Sequence, residues 1–174
     1  MYAIGFSTGK HSPISAAIRY MTHSKVSHAY LIYDDEDLGD RYILEADIGG
    51  FQPDRYSIFK RKNTVVAEVP IILYPGTLQA ADKMVGVVGY DYSGLVGEFF
   101  VKLARWGGKK ITNPIHDPHS MFCSEAMVHV LQQGKVPGAD QLVPQNTDPQ
   151  SLLDFLIIHG YKAQFAPFPD DPES

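Results

Sequence analysis

The stretch "VSHAYLIYDDEDLGDRYILEA", residues 26–46, constrains the fold more than any other. Two runs rich in β-branched and aromatic residues flank a polar segment, the signature of a β-hairpin. His28 sits inside the first run, where a polar ring needs a partner. A turn centred on Glu36 and Asp37 supplies one: it sets Tyr33 opposite Asp40, Tyr30 opposite Ile43 and His28 opposite Glu45. Directly opposed residues project to one face with Cβ atoms about 5 Å apart, so a carboxylate would stand beside the imidazole. The competing reading is an ordinary cross-strand pair on a solvated face. A slip of one residue would separate the two groups, because side chains alternate between faces.

Other segments extend this frame. "YAIGF" reads as a buried strand and "TVVAEVPII" as a further strand closed by Pro75 and Gly76, with "DRYSIFK" a weak additional one. Ser12 followed by Pro13 caps and opens a helix with Ile14, Ala17, Ile18 and Met21 on one face. Thr77 is expected to cap a helix over "LQAADKMVGVV", and "YSGLVGEFFVKLARWG" has helical spacing. "GGKKITNPIHDPHS" reads as a loop. Asp148 and Pro149 start a last helix that Gly160 stops, and "KAQFA" reads as an edge strand. The order predicts an α+β fold, an antiparallel sheet packed against helices.

Composition narrows the function classes. The 174 residues, 44% apolar and 20% charged, suit one soluble domain over residues 1–166, with a frayed acidic, Pro-rich tail at 167–174. The net charge is −5, and the basic residues are scattered apart from Lys60, Arg61 and Lys62, which disfavours a nucleic-acid partner. A single cysteine excludes an internal disulfide and a cysteine-based zinc site within the chain. "MYAIGFSTGK" has no signal-peptide pattern, and no run approaches the roughly 20 apolar residues of a membrane span. The expectation is a cytoplasmic protein, bacterial or phage-encoded, without cofactor or metal.

The one cysteine, Cys123, lies in "SMFCSEAMVHVLQQG". Most lone cysteines are inert core thiols. Here Ser120 can cap a helix, which places Cys123 in its first turn, where unpaired N–H groups favour a thiolate. Cys123, Met127 and Val130 share one face, so the sulfur points inward. Glu125 suits the helix start. A thiolate nucleophile needs a histidine, and the histidine needs an orienting group. Of seven histidines, His11, His23 and His159 sit at loop or helix ends, and His129 faces away on the same helix. His116 and His119 form an H-x-x-H that lacks a third ligand nearby. His28, with Glu45, completes a Cys-His-acid set.

These residues resemble a known family. "SPISAAI" (12–18), the stretch from Thr22 through Ser24 and Ser27 to His28, "LEA" (44–46), "GYD" (89–91) and "FCSE" (122–125) occur in the order of the circularly permuted NlpC/P60 cysteine peptidases, and are most similar to the YiiX/YebB-like branch. The resemblance covers about residues 1–135 and implies a papain-like fold rearranged so that histidine precedes cysteine. It implies Cys123 as nucleophile, His28 as general base and Glu45 as the group that orients it. Tyr90 and Asp91 match a segment that lines or supports the site. Ser12, Thr22 and Ser27 match positions better explained by capping and turn hydrogen bonds. Ala126 stands where the family has leucine.

The expected function is a thiol hydrolase, an amidase or thiol protease or an acyl hydrolase or transferase, working through a thioester. Its substrate would be a small peptide, a peptidoglycan fragment or an acyl-lipid. The absent secretion signal weighs against peptidoglycan. Tyr30, Tyr33, Phe51, Tyr56, Tyr90 and Tyr92 are candidates to wall an apolar groove, or are simply core. The rival is a non-catalytic peptide- or lipid-binding module on the same fold. A third reading leaves Cys123 a buried, unreactive thiol.

Overall fold

The computed structural model describes residues 1–12, 15–16, 19–20, 23–36, 38–47, 50–83, 85, 89–90 and 120–166. It is an α+β fold built on a six-stranded antiparallel sheet. The strands are β1 (Tyr2–Gly9), β2 (His28–Asp35), β3 (Asp40–Asp47), β4 (Gly50–Arg55), β5 (Asn63–Ile71) and, at the far end of the chain, β8 (Gln164–Phe165). Their order across the sheet is β4-β3-β2-β1-β5-β8. Two short strands, β6 (Gly89–Tyr90) and β7 (Ser120–Met121), pair in parallel beside it. The α-helices whose bounds lie among the described residues are α1 (Tyr56–Lys62), α2 (Thr77–Asp82), α3 (Cys123–Gln133) and α4 (Pro149–Ile158). No helix among the described residues is long and apolar enough to cross a membrane.

The expected hairpin is β2–β3, but its register differs by two residues. Asp35 pairs with Asp40, Tyr33 with Tyr42 and Leu31 with Leu44. The turn sits later because Asp35 organises it. Its carboxylate accepts the Leu38 N–H at 3.0 Å, its carbonyl accepts the Gly39 N–H at 2.9 Å, and Gly39 takes the left-handed φ of 63° that glycine tolerates. A two-residue shift preserves which face each side chain occupies.

The faces of the sheet carry different cores. On one, Ile4, Phe6, Leu31 and Leu44 pack with Met127, Val130 and Leu131 of α3 and Leu152 and Leu156 of α4. On the other, Ala3, Tyr30, Ile32 and Ile43 pack under Phe59 of α1. Gly5 lies directly opposite Tyr30, and a Cβ there would fall 2.2 Å from the Tyr30 ring, so the ring lies over the glycine.

Several elements depart from expectation. "DRYSIFK" is not a strand: Asp54 and Arg55 end β4, and Tyr56 begins α1, which buries Phe59. β4 itself is unexpected, since it contains Pro53. Among the described residues it is an edge strand bonded only to β3, and an edge tolerates the missing N–H. Ser120 does not cap α3 but lies in β7; Phe122 is the N-cap, and its N–H donates to the Glu125 carboxylate at 3.3 Å. Thr77 is the first residue of α2 rather than its cap, and its hydroxyl donates to the Tyr74 carbonyl at 2.7 Å. Asp148 caps α4 as expected, accepting the Ser151 N–H at 2.9 Å, and Gly160 follows with φ 84°. Ser12 accepts the Ser15 N–H at 3.1 Å, and residues 15, 16, 19 and 20 are helical. The proposed 92–107 helix, the loop after it and residues 167–174 lie outside the described residues.

Candidate active site

The site gathers at the end of the sheet where β2 begins. His28 is the first residue of β2 and shares the α1 face with Tyr30, whose ring centroid is 5.9 Å away; Phe59 is at 6.1 Å. β3 supplies Glu45, which is buried and paired across to Gln52 of β4. In the observed register Glu45 is a diagonal rather than a direct neighbour of His28. Diagonal side chains on one face still meet when they are long. His28 Nε2–H donates to Glu45 Oε2 at 2.6 Å, with only 17% and 8% of the two side chains exposed. The contact expected from direct opposition is therefore made across the diagonal.

Cys123 is the first residue of α3 and only 4% exposed. It belongs to the larger core with Met127 and Val130. The helix starts beside the end of β2, so its sulfur meets the imidazole there. Burial raises the thiol. The His28 charge, a hydrogen bond with the imidazole and the backbone N–H groups of Ala29 and Ser124 outweigh it, so Cys123 titrates below an ordinary thiol. For His28, burial disfavours the charged ring. The Cys123 charge and hydrogen bond, followed by the hydrogen bond and charge of Glu45, reverse this and raise it from 6.5 to about 10. Glu45 occupies Nε2, which leaves Nδ1 as the nitrogen that exchanges a proton with sulfur. An imidazolium beside a thiolate, with a carboxylate behind it, is an arrangement able to attack a carbonyl and to protonate a leaving group.

The other expected site residues divide. Ser27 is buried and its hydroxyl hydrogen-bonds Ser15 Oγ at 2.5 Å; Ser15 Oγ also meets Thr8 Oγ1 at 3.0 Å and accepts the Gly9 N–H at 2.9 Å. This chain ties the N-terminal helical segment to β1 and to the residue preceding His28. Tyr30 is fully buried, and burial holds its phenol well above its usual range, with the charges of Tyr56, Glu68 and Glu45 adding to it. Phe51 is buried in the larger core, and Tyr33 and Tyr56 are half-buried. Tyr90 lies in β6, beside β7, which leads directly into Cys123. Asp91, Tyr92, His116 and His119 lie outside the described residues. Among the described residues no group of three or more His, Cys, Asp or Glu is placed to hold a metal ion. His11 and His23 are exposed, and the His159 ring lies tilted against Phe155 with centroids 4.0 Å apart.

Ser7 is a neighbour of the site that no sequence motif marks. It is fully buried, directly opposite His28 in the β1–β2 ladder, at a point where the β1–β5 register shifts. The available signal was a serine ending an apolar strand, which by itself reads as a turn residue.

The chain matches no family model, no curated protein and no solved structure.

Proposed function

We propose that the protein is a cysteine hydrolase or acyltransferase on a permuted papain-like, NlpC/P60 fold, acting on an amide or ester carbonyl. The observation that carries this reading is the 2.6 Å His28–Glu45 hydrogen bond formed where the imidazole meets a thiol at the start of a helix. The Cys123 thiolate attacks the carbonyl carbon, forming a C–S bond and an oxyanion. The Cys123 N–H, at the α3 N-terminus, helps hold that oxygen. The oxyanion collapses, the bond to the leaving group breaks, and His28 Nδ1 hands its proton to the departing nitrogen or oxygen. Water, or a second acceptor in the transferase case, then loses a proton to His28 and attacks the thioester. The thiolate is released and the imidazolium restored.

The test needs no knowledge of the substrate. Iodoacetamide should alkylate Cys123 well below pH 8.5, the region of an ordinary thiol. His28→Ala should return the reaction to that region. A wild-type protein that alkylates like a free thiol sinks the reading and favours the binding module. Cys123→Ala should fold normally and turn over nothing.

A further inference from the structure

We infer that Ser7 is a positioning residue for His28, holding the imidazole once the Cys123 sulfur is covalently occupied. The inference rests on the hydrolase reading and concerns its second half. In the resting site Nε2 is engaged by Glu45 at 2.6 Å, and since Cys123 also hydrogen-bonds the ring, Nδ1 is the nitrogen left for the sulfur. When the sulfur becomes a thioester it loses its charge and its value as an acceptor. Nδ1 then has no strong partner until the water it must deprotonate arrives; a hydroxyl that holds the ring in that interval keeps it aimed and yields Nδ1 to the water.

β2 has two neighbours in the sheet. β3 provides Glu45 on one flank. β1 provides Ser7 on the other, directly opposite His28, and directly opposed residues share a face. Ser7 is 0% exposed and its hydroxyl has no hydrogen-bond partner among the described residues. A buried hydroxyl without a partner costs about 1–3 kcal/mol, so a fold that keeps one beside a reactive ring calls for a use. Its backbone is fixed, because the Ser7 carbonyl accepts the Ser27 N–H at 3.0 Å, next to His28. The Tyr30 phenol is also buried without a partner among the described residues, but its oxygen lies over Gly5, two pairs further along the ladder. Among the described residues, Ser7 is thus the unengaged hydroxyl nearest the ring by register. Among the described residues, the other groups facing His28 are Cys123 from α3, Glu45 from β3, Tyr30 from β2 and the uncharged Phe59 from α1.

The full-length protein with ¹³C-labelled histidine provides the test. Iodoacetamide converts Cys123 to a neutral thioether that stands in for the acylated sulfur. In this alkylated protein, His28 should titrate about one pH unit higher in wild type than in Ser7→Ala, the size of one hydrogen bond to a charged group. Before alkylation the two should titrate together, because Cys123 still holds Nδ1. Ser7→Thr, which keeps the hydroxyl, should behave as wild type. Identical titration of alkylated wild type and Ser7→Ala overturns the inference while leaving the hydrolase reading intact. An equal displacement before and after alkylation also overturns it, because it marks a merely structural role. A wild-type Cys123 that alkylates like a free thiol removes the hydrolase reading, and Ser7's role with it.

Discussion

The two faces of the sheet do different work with the same strands. The α3–α4 face is apolar and large, closed by Met127, Leu131, Leu152 and Leu156. The α1 face is small and aromatic, and polar groups intrude on it: His28, Glu45, and Glu68, which accepts the Tyr56 hydroxyl. Lys60 lies over the Tyr56 ring at 4.7 Å on the same side. The large face has the bulk to hold the fold together. The small one supplies a setting in which burial and a few charges move protonation equilibria. Cys123 is rooted in the first and titrated by the second. A fold can separate stability from electrostatics simply by using both sides of one strand.

That separation can be broken or sharpened by substitution. The largest effect is expected for His28→Ala. With an ordinary thiol of pKa about 8.5, only about 1% is thiolate at pH 6.5, so alkylation there should fall by up to about 100-fold. Leu131→Ala, in the large core, should cost about 2–5 kcal/mol in urea unfolding. It should leave the pH profile of Cys123 alkylation unchanged. Phe59→Ala should cost about 3–5 kcal/mol and also displace that profile, because Phe59 packs against Tyr30 and His28. If both core substitutions displace the profile equally, the faces are not separate. Glu45→Gln should move the profile upward by less than His28→Ala, since His28 acts on Cys123 directly whereas Glu45 acts through the His28 ring that it helps to keep charged. Smallest is Asp148→Ala, a lost helix cap worth about 1 kcal/mol, with no effect on alkylation.

The same couplings make stability depend on pH. The His28 pKa is raised, from 6.5 to about 10. Its contribution is therefore complete below about pH 6.5 and fades as pH rises through about 10. The Cys123 shift is downward, so its contribution is present above the ordinary thiol range and fades as pH falls through the lowered value. Wild type should lose part of its advantage over Cys123→Ala at either extreme, measurable by denaturant midpoints.

Much of the hairpin was readable from residues 26–46, because β-branched and aromatic runs around a polar segment leave few alternatives. The strand assignment and the shared face of His28 and Glu45 follow from that pattern. The register did not, because Asp35 and Gly39 fix the turn through one side chain and one left-handed dihedral. Those details are weak in a seven-residue segment that reads DDEDLGD. Phe59 of α1 was hidden because "YSIF" also fits alternation, and only packing on Tyr30 decides for a helix. Pro53 disguised β4, since a strand position at the edge cannot be known before the sheet order is. Ser7 carried no motif at all. Its meaning comes entirely from what stands across the ladder.

The Tyr30 ring lying over Gly5 has a consequence for how this sequence can change over generations. Any side chain at position 5 would collide with the ring, and a smaller residue at position 30 would expose the glycine backbone beneath it. Neither position can move first without loss. The two are locked as a couple in sequence space, reachable or abandoned only through paired substitution. Among diverged copies of this chain, Gly5 and Tyr30 should therefore be kept together or replaced together.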